Sequence, residues 1–126
     1  MKRGWIGLGL LAVMLAGGLL VTWRMGRTHR LIAEDLKEAG RCALAENWGA
    51  AERFAEAACD DWKHIWRFSA AFADHEPMEA IDALFSQLDT YRIARDGVSF
   101  SAVCAELSRQ VEAMGDAHSL NWRNLL

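Results

Sequence analysis

The sequence has 126 residues, 52% of them apolar, with one proline, three cysteines and a formal net charge of −3. That length suits one domain, and the scarcity of proline among abundant helix formers disfavours a strand-rich fold. The charge is uneven. Residues 1–30 hold five basic residues and no acid, whereas residues 31–126 hold 17 acids against nine Lys and Arg. So acidic a body lacks the basic face that a nucleic-acid partner requires.

The first element runs from Trp5 to Trp23, 19 residues without a charge. At about 1.5 Å of rise per residue this nearly spans a bilayer's hydrocarbon core. Trp5 and Trp23 stand at its ends, where interfacial aromatics belong, and Arg24, Arg27 and Arg30 follow as a basic collar suited to anionic headgroups or simply flanking a membrane helix. The apolar run exceeds the core of a cleaved signal peptide, and no small-residue cleavage site follows it. The expectation is therefore an uncleaved signal anchor. Its small residues, Ala12 and Ala16 among them, leave room for weak self-association, with plain apolar filler as the alternative. Basic residues lie on both flanks, so orientation is nearly balanced. The acidic domain would cross without electrostatic objection, which favours an extracytoplasmic location at the cell membrane.

Beyond the anchor, helical periodicity predicts four helices. The first continues from the span to about Ala45, with Ile32, Leu36, Ala39 and Ala43 on one face. Asn47 suits an N-cap for the second. There Trp48, Ala51, Ala55, Ala58, Trp62, Ile65, Ser69 and Phe72 recur three and four apart, with Glu52, Arg53, Glu56, Asp60 and Lys63 opposite. The third begins near Glu76–Pro77 and buries Ile81, Leu84, Leu88 and Tyr91. Asp96–Gly97 reads as a turn, and Ser99 as the cap of a fourth helix carrying Phe100, Val103, Cys104, Leu107, Val111 and Met114. Gly115 reads as its C-cap, with a short tail from Ser119 to Leu126. The fold class is all-α: an N-terminal transmembrane helix followed by an antiparallel bundle of about four helices. The chain divides into a tail at 1–4, the anchor at 5–23 and the bundle domain at 24–126.

Chemistry-bearing motifs are sparse. Cys42, Cys59 and Cys104 form no C-x-x-C pair. Free thiols acting as small apolar residues are the simplest reading, beside a Cys59–Cys104 bridge. Asp74-His75-Glu76 offers metal-binding or acid–base side chains, yet consecutive residues converge only in a turn, and a helix cap explains them as well. Trp48, Trp62 and Trp66 make either core or an aromatic groove for a partner helix. No catalytic arrangement, nucleotide loop or calcium loop is recognisable, so a non-enzymatic protein without cofactor is expected.

Asn47-Trp48, Trp62, Trp66, the triplet Asp74-His75-Glu76, then Ile81 and Leu84, with Ser119-Leu120-Asn121 and Asn124-Leu125-Leu126 at the end, together resemble the family catalogued as domain of unknown function 4363. The likeness covers nearly everything beyond Arg30, and the triplet preceded by tryptophans is its most specific part. Pro77 after the triplet and the lack of a histidine near Ala113 depart from the family pattern. The resemblance implies a small bacterial protein with one membrane helix and an extracytoplasmic helical domain. It also implies an accessory role beside a multi-pass membrane protein. The residues and the resemblance together lead to an interaction module of a membrane complex, with a ligand- or metal-sensing domain at Asp74, His75 and Glu76 as the alternative.

Overall fold

A computed structural model describes the backbone over residues 2–69 and 75–125; within these helices the side chains of residues 21, 22, 25, 26, 68, 69, 75–77 and 117–125 are not described. The described residues form four helices: α1 (Lys2–Leu44), α2 (Trp48–Ser69), α3 (His75–Ala94) and α4 (Gly97–Leu125). No strand occurs among them. The all-helical bundle following an apolar helix is as expected.

α1 is a single helix of 43 residues, about 65 Å long at 1.5 Å per residue. Its first part, Lys2–Leu20, is apolar enough to cross a membrane and none of it is buried within the protein. Its second part is the spine of the bundle. Ile32, Ala33, Leu36, Ala39, Cys42 and Ala43 are buried there against α2 and α4.

The connections α1–α2 and α3–α4 use one device twice. Glu46 and Arg95 adopt left-handed φ of 61° and 56°. In the first turn the Glu46 N–H donates to the Ala43 carbonyl at 3.1 Å and the Asn47 N–H to Cys42 at 2.9 Å. In the second, Arg95 donates to Arg92 at 3.2 Å and Asp96 to Tyr91 at 3.1 Å. Each is a Schellman C-terminus, which satisfies the last helical carbonyls. The closing residue then opens the next helix. Asn47 Oδ1 accepts from the Ala50 N–H at 3.3 Å, and Asp96 Oδ1 from the Ser99 N–H at 3.2 Å. A side-chain acceptor at this position satisfies an otherwise orphaned helical donor.

Asn47 thus caps α2 as expected, but Ser99 does not cap α4. Asp96 does, and the Ser99 hydroxyl donates to its other oxygen at 2.6 Å. Gly97 is also not the turn's left-handed residue. Its lack of a side chain serves packing, because a Cβ there would stand 2.8 Å from the Ala43 carbonyl oxygen. Gly115 is no C-cap either. α4 runs past it to Leu125, and the expected tail is helical. The glycine instead lets α4 approach His29, whose Cβ would lie 3.1 Å from a Cβ at position 115.

The helices pack antiparallel around one core. α1 lies along α4 and α2, α3 rests mainly on α4, and α2 and α3 meet little. The expected stripes are its substance: Ala51, Ala55, Ala58, Trp62 and Ile65 from α2, Ile81 and Leu88 from α3, and Phe100, Val103, Cys104, Leu107 and Val111 from α4 are buried. Met78, also fully buried, was not among the expected core residues. Phe72 lies outside the described residues.

Candidate functional site

The weak contact between α2 and α3 leaves a groove of about 370 Å³. Ala55, Leu88 and Phe100 form an apolar floor, with Cys59 and Phe85 on its sides. The rim is charged, and Glu52, Asp89 and Arg92 on it are tied together. Arg95 donates to Glu52 at 2.8 Å, Arg92 reaches the same carboxylate at 3.5 Å, and Arg92 also donates to Asp89 at 2.8 Å. The Arg95 hydrogen bond is the main reason that the Glu52 carboxyl sits below its ordinary range. Glu52, read from the sequence as a solvated residue, is therefore a junction between α2 and the α3–α4 turn.

The three tryptophans hold different stations in the bundle, and none of them lines this groove. Trp48 is half-buried at one end, edge-on to Phe100 with centroids 5.3 Å apart, and the Arg95 guanidinium covers its ring at 5.2 Å. That cation–π cover helps to hold the strained Arg95 in place. Trp62 is core, 1% exposed, and its Nε1 donates to Asp82 Oδ1 across to α3 at 3.0 Å. Its ring stacks at 6.5 Å on Phe85. Trp66 is half-buried against the core.

Asp74 lies outside the described residues. His75 and Glu76 open α3, and their side chains lie outside the description as well. Among the described residues no group of three His, Cys, Asp or Glu side chains is placed to hold a metal ion. His64 is exposed on α2. All three cysteines are free; Cys42 and Cys104 are buried and Cys59 is half-buried beside the groove. Burial pushes the Cys104 thiol up to about 12, so it packs as an inert apolar residue. Burial likewise raises Cys59, against the pull of the Lys63 charge.

At the other end of the bundle α1 leaves its partners. Trp5 and Trp23 are exposed, as are Arg24 and Arg27, and the Arg27 guanidinium lies 5.5 Å from the centre of the Trp23 ring. Two residues farther on, His29 is 2% exposed, packed where Gly115 gives it room. His29 is not among the stripe residues expected from the sequence. The signal was present, because His29 continues the stripe of Ile32 and Leu36 at helical spacing. Asp35, between α1 and α2, has its carboxyl raised above the ordinary value by burial and by the neighbouring Asp61 and Glu34 charges.

These features define a class: an all-helical bundle whose spine is continuous with an apolar, uncovered helix. The chain belongs to the family described as Domain of unknown function (DUF4363), whose model matches residues 25–125. The resemblance carried by the tryptophans and the triplet is upheld, and the match spans the bundle while leaving the apolar helix outside it. Searches of curated proteins and of solved structures return no match.

Proposed function

We propose that the chain is a membrane-anchored, non-enzymatic accessory module that presents its bundle to a partner in a membrane complex. The observation that carries this reading is the unbroken α1. Residues Lys2–Leu20 suit a bilayer, and the same helix becomes the bundle's spine without a linker. A bundle so joined is held at a fixed height and rotation relative to its anchor, which suits docking against another membrane protein better than searching for a diffusible substrate. The exposed Trp23 and Arg24 at the end of the span, with the cation–π pair to Arg27, have the chemistry of a lipid interface. Self-association through the exposed small residues of the span belongs to the same reading.

The near balance of flanking charge leaves orientation to the acidic domain, and with the family resemblance it favours an extracytoplasmic bundle. An impermeant thiol reagent added to intact cells tests this, with a cysteine placed at the exposed Glu56 in a Cys59→Ser background. Labelling only after lysis reverses the orientation. The accessory role is tested by in-cell crosslinking of the full chain and mass spectrometry, with residues 1–30 as control. A membrane protein recovered reproducibly with the full chain and not with the control supports it. Recovery of the chain alone counts against it.

A second reading, small-ligand sensing, draws on the α2–α3 groove with its apolar floor and charged rim. Its metal-dependent form, using Asp74, His75 and Glu76, predicts a higher melting temperature on addition of zinc. An unchanged melting temperature removes that form.

A further inference from the structure

α4 is longer than the bundle needs. Its partner α1 runs antiparallel to it in constant register: position 40 lies against Ser101 and Cys104, and position 115 against His29. Between these two contacts both helices advance eleven residues, so they keep step. α4 then continues ten residues beyond Gly115 to Leu125. At 1.5 Å per residue that extension is about 15 Å long. In the same register it brings the α4 backbone level with residues 19–28 of α1. The end of α4 therefore passes the collar of Arg24 and Arg27 and reaches the height of the last turn of the apolar span.

Two further observations agree. Gly18 is half-buried, whereas every other described residue from Lys2 to Leu20 is exposed. The sequence of the extension has interfacial composition. Residues 119–126 read Ser-Leu-Asn-Trp-Arg-Asn-Leu-Leu, with no acid. The register sets the backbone of Trp122 one residue from the level of Trp23 and that of Arg123 three residues from the level of Arg24, so an aromatic–basic pair occurs on both helices within about one turn. Tryptophan and arginine are the residue types that gather where hydrocarbon meets headgroups.

We propose that the last turns of α4 return to the bilayer interface beside the anchor, making residues 119–125 a second membrane-contact element. The bundle then stands on two feet, one spanning and one interfacial, and its orientation to the membrane plane is fixed. This rests on the reading of Lys2–Leu20 as a membrane anchor. The bilayer is favoured over a protein occupant because the end of the extension stands level with residues 19 and 20, the last of the α1 segment Lys2–Leu20 that is apolar enough to cross a membrane.

The test places photoreactive p-benzoylphenylalanine, one site at a time, at Leu10, Glu56, Trp122 and Leu125 of the full-length protein. The protein is reconstituted in vesicles of phosphatidylcholine and phosphatidylglycerol, and helix content is checked by circular dichroism. Lipid adducts at Leu10, and at Trp122 or Leu125 with several-fold higher yield than at Glu56, are expected. Adducts at Leu10 but at neither α4 site overturn the second contact while leaving the anchor intact. Failure at Leu10 sinks the anchor and this inference with it. Equal yield at Glu56 means that the bundle lies on the membrane as a whole, which also overturns it, as does crosslinking of the α4 sites to a second protein chain in place of lipid.

Discussion

The α1–α4 seam and the α2–α3 pair are both antiparallel helix contacts, yet they are built oppositely. Along α1–α4, small residues let backbones approach. Gly40 sits against Cys104, Gly97 against the Ala43 carbonyl, and Gly115 against His29. Between α2 and α3 the helices stand apart and are bridged by long side chains: Trp62 with Asp82 and Phe85, and Glu52 with Arg92. One seam is set by the absence of side chains and the other by their reach. Close packing of the first kind suits a pair that carries the geometry of an anchor, because a dense contact deforms little. The second kind leaves the groove.

The largest single effect lies in the open pair, where the Trp62 ring is the fully buried bridge. Trp62→Ala should cost about 3–5 kcal/mol in urea unfolding, as for other buried large-to-small changes. A loss below about 1 kcal/mol would show that α3 is held by α4 alone. In the tight seam the effect comes from adding atoms. Gly97→Ala should destabilise by about 1–3 kcal/mol, because the new methyl meets a backbone carbonyl that cannot move aside. Gly49→Ala is the control. Only the Asn47 side chain, 4.0 Å away, would be near its Cβ, so it should be neutral or slightly stabilising. Equal losses at both glycines would mean that the seam is no tighter than the exposed start of α2.

The two seams differ in how far the sequence discloses them. Helical periodicity locates most of the described core, Met78 excepted, because burial of one face imposes the spacing. The Asn47 cap is legible because its side chain acts on its own neighbours. The seam glycines are not legible in the same way. Gly97 and Gly115 look like punctuation, and only the partner helix shows that they are points of approach. Arg95 and Glu46 in left-handed backbone are equally hidden, since glycine is the usual residue there. Of the candidate site, Trp48, Trp62 and Trp66 could be named from the sequence, but not their separate roles. The Glu52 junction depends on α3 and α4 and has no local signature. His29, three residues before Ile32, was within reach of the periodicity.

A smaller effect isolates the polar half of the Trp62 bridge. Asp82→Ala removes the acceptor of the indole N–H while leaving the ring in place. It should cost roughly 0.5–1.5 kcal/mol in the same assay, and Asp82→Asn, which keeps a carbonyl oxygen, should recover most of that. If Asn fails to recover stability, the carboxylate rather than the hydrogen bond is what α3 contributes there.

The smallest effects are electrostatic, and they should have opposite signs in the two regions. Glu52, at the junction of α2 with α3 and α4, is held below its ordinary value of 4.5, chiefly by the Arg95 hydrogen bond. A depressed carboxyl contributes stability that is fully present above its unfolded value and is lost as pH falls through the folded one. Glu52→Gln should therefore lower the melting temperature slightly at pH 7, and the difference should vanish on acidification below pH 4.5. Added salt should also shrink the neutral-pH difference, since the pair is exposed. Asp35, in the α1–α2 contact, is raised above its ordinary value of 3.8 by burial first and then by Asp61 and Glu34. Its charged form is the unfavourable one, so its penalty is present at neutral pH and is relieved as pH falls through the raised value. Asp35→Asn should raise the melting temperature slightly at pH 7, and this gain should disappear below pH 3.8. Melting curves of the two variants from pH 7 to pH 3 decide the matter. Differences of the same sign at pH 7 would mean that the acid pair between α1 and α2 is no more strained than the ion pairs around the groove.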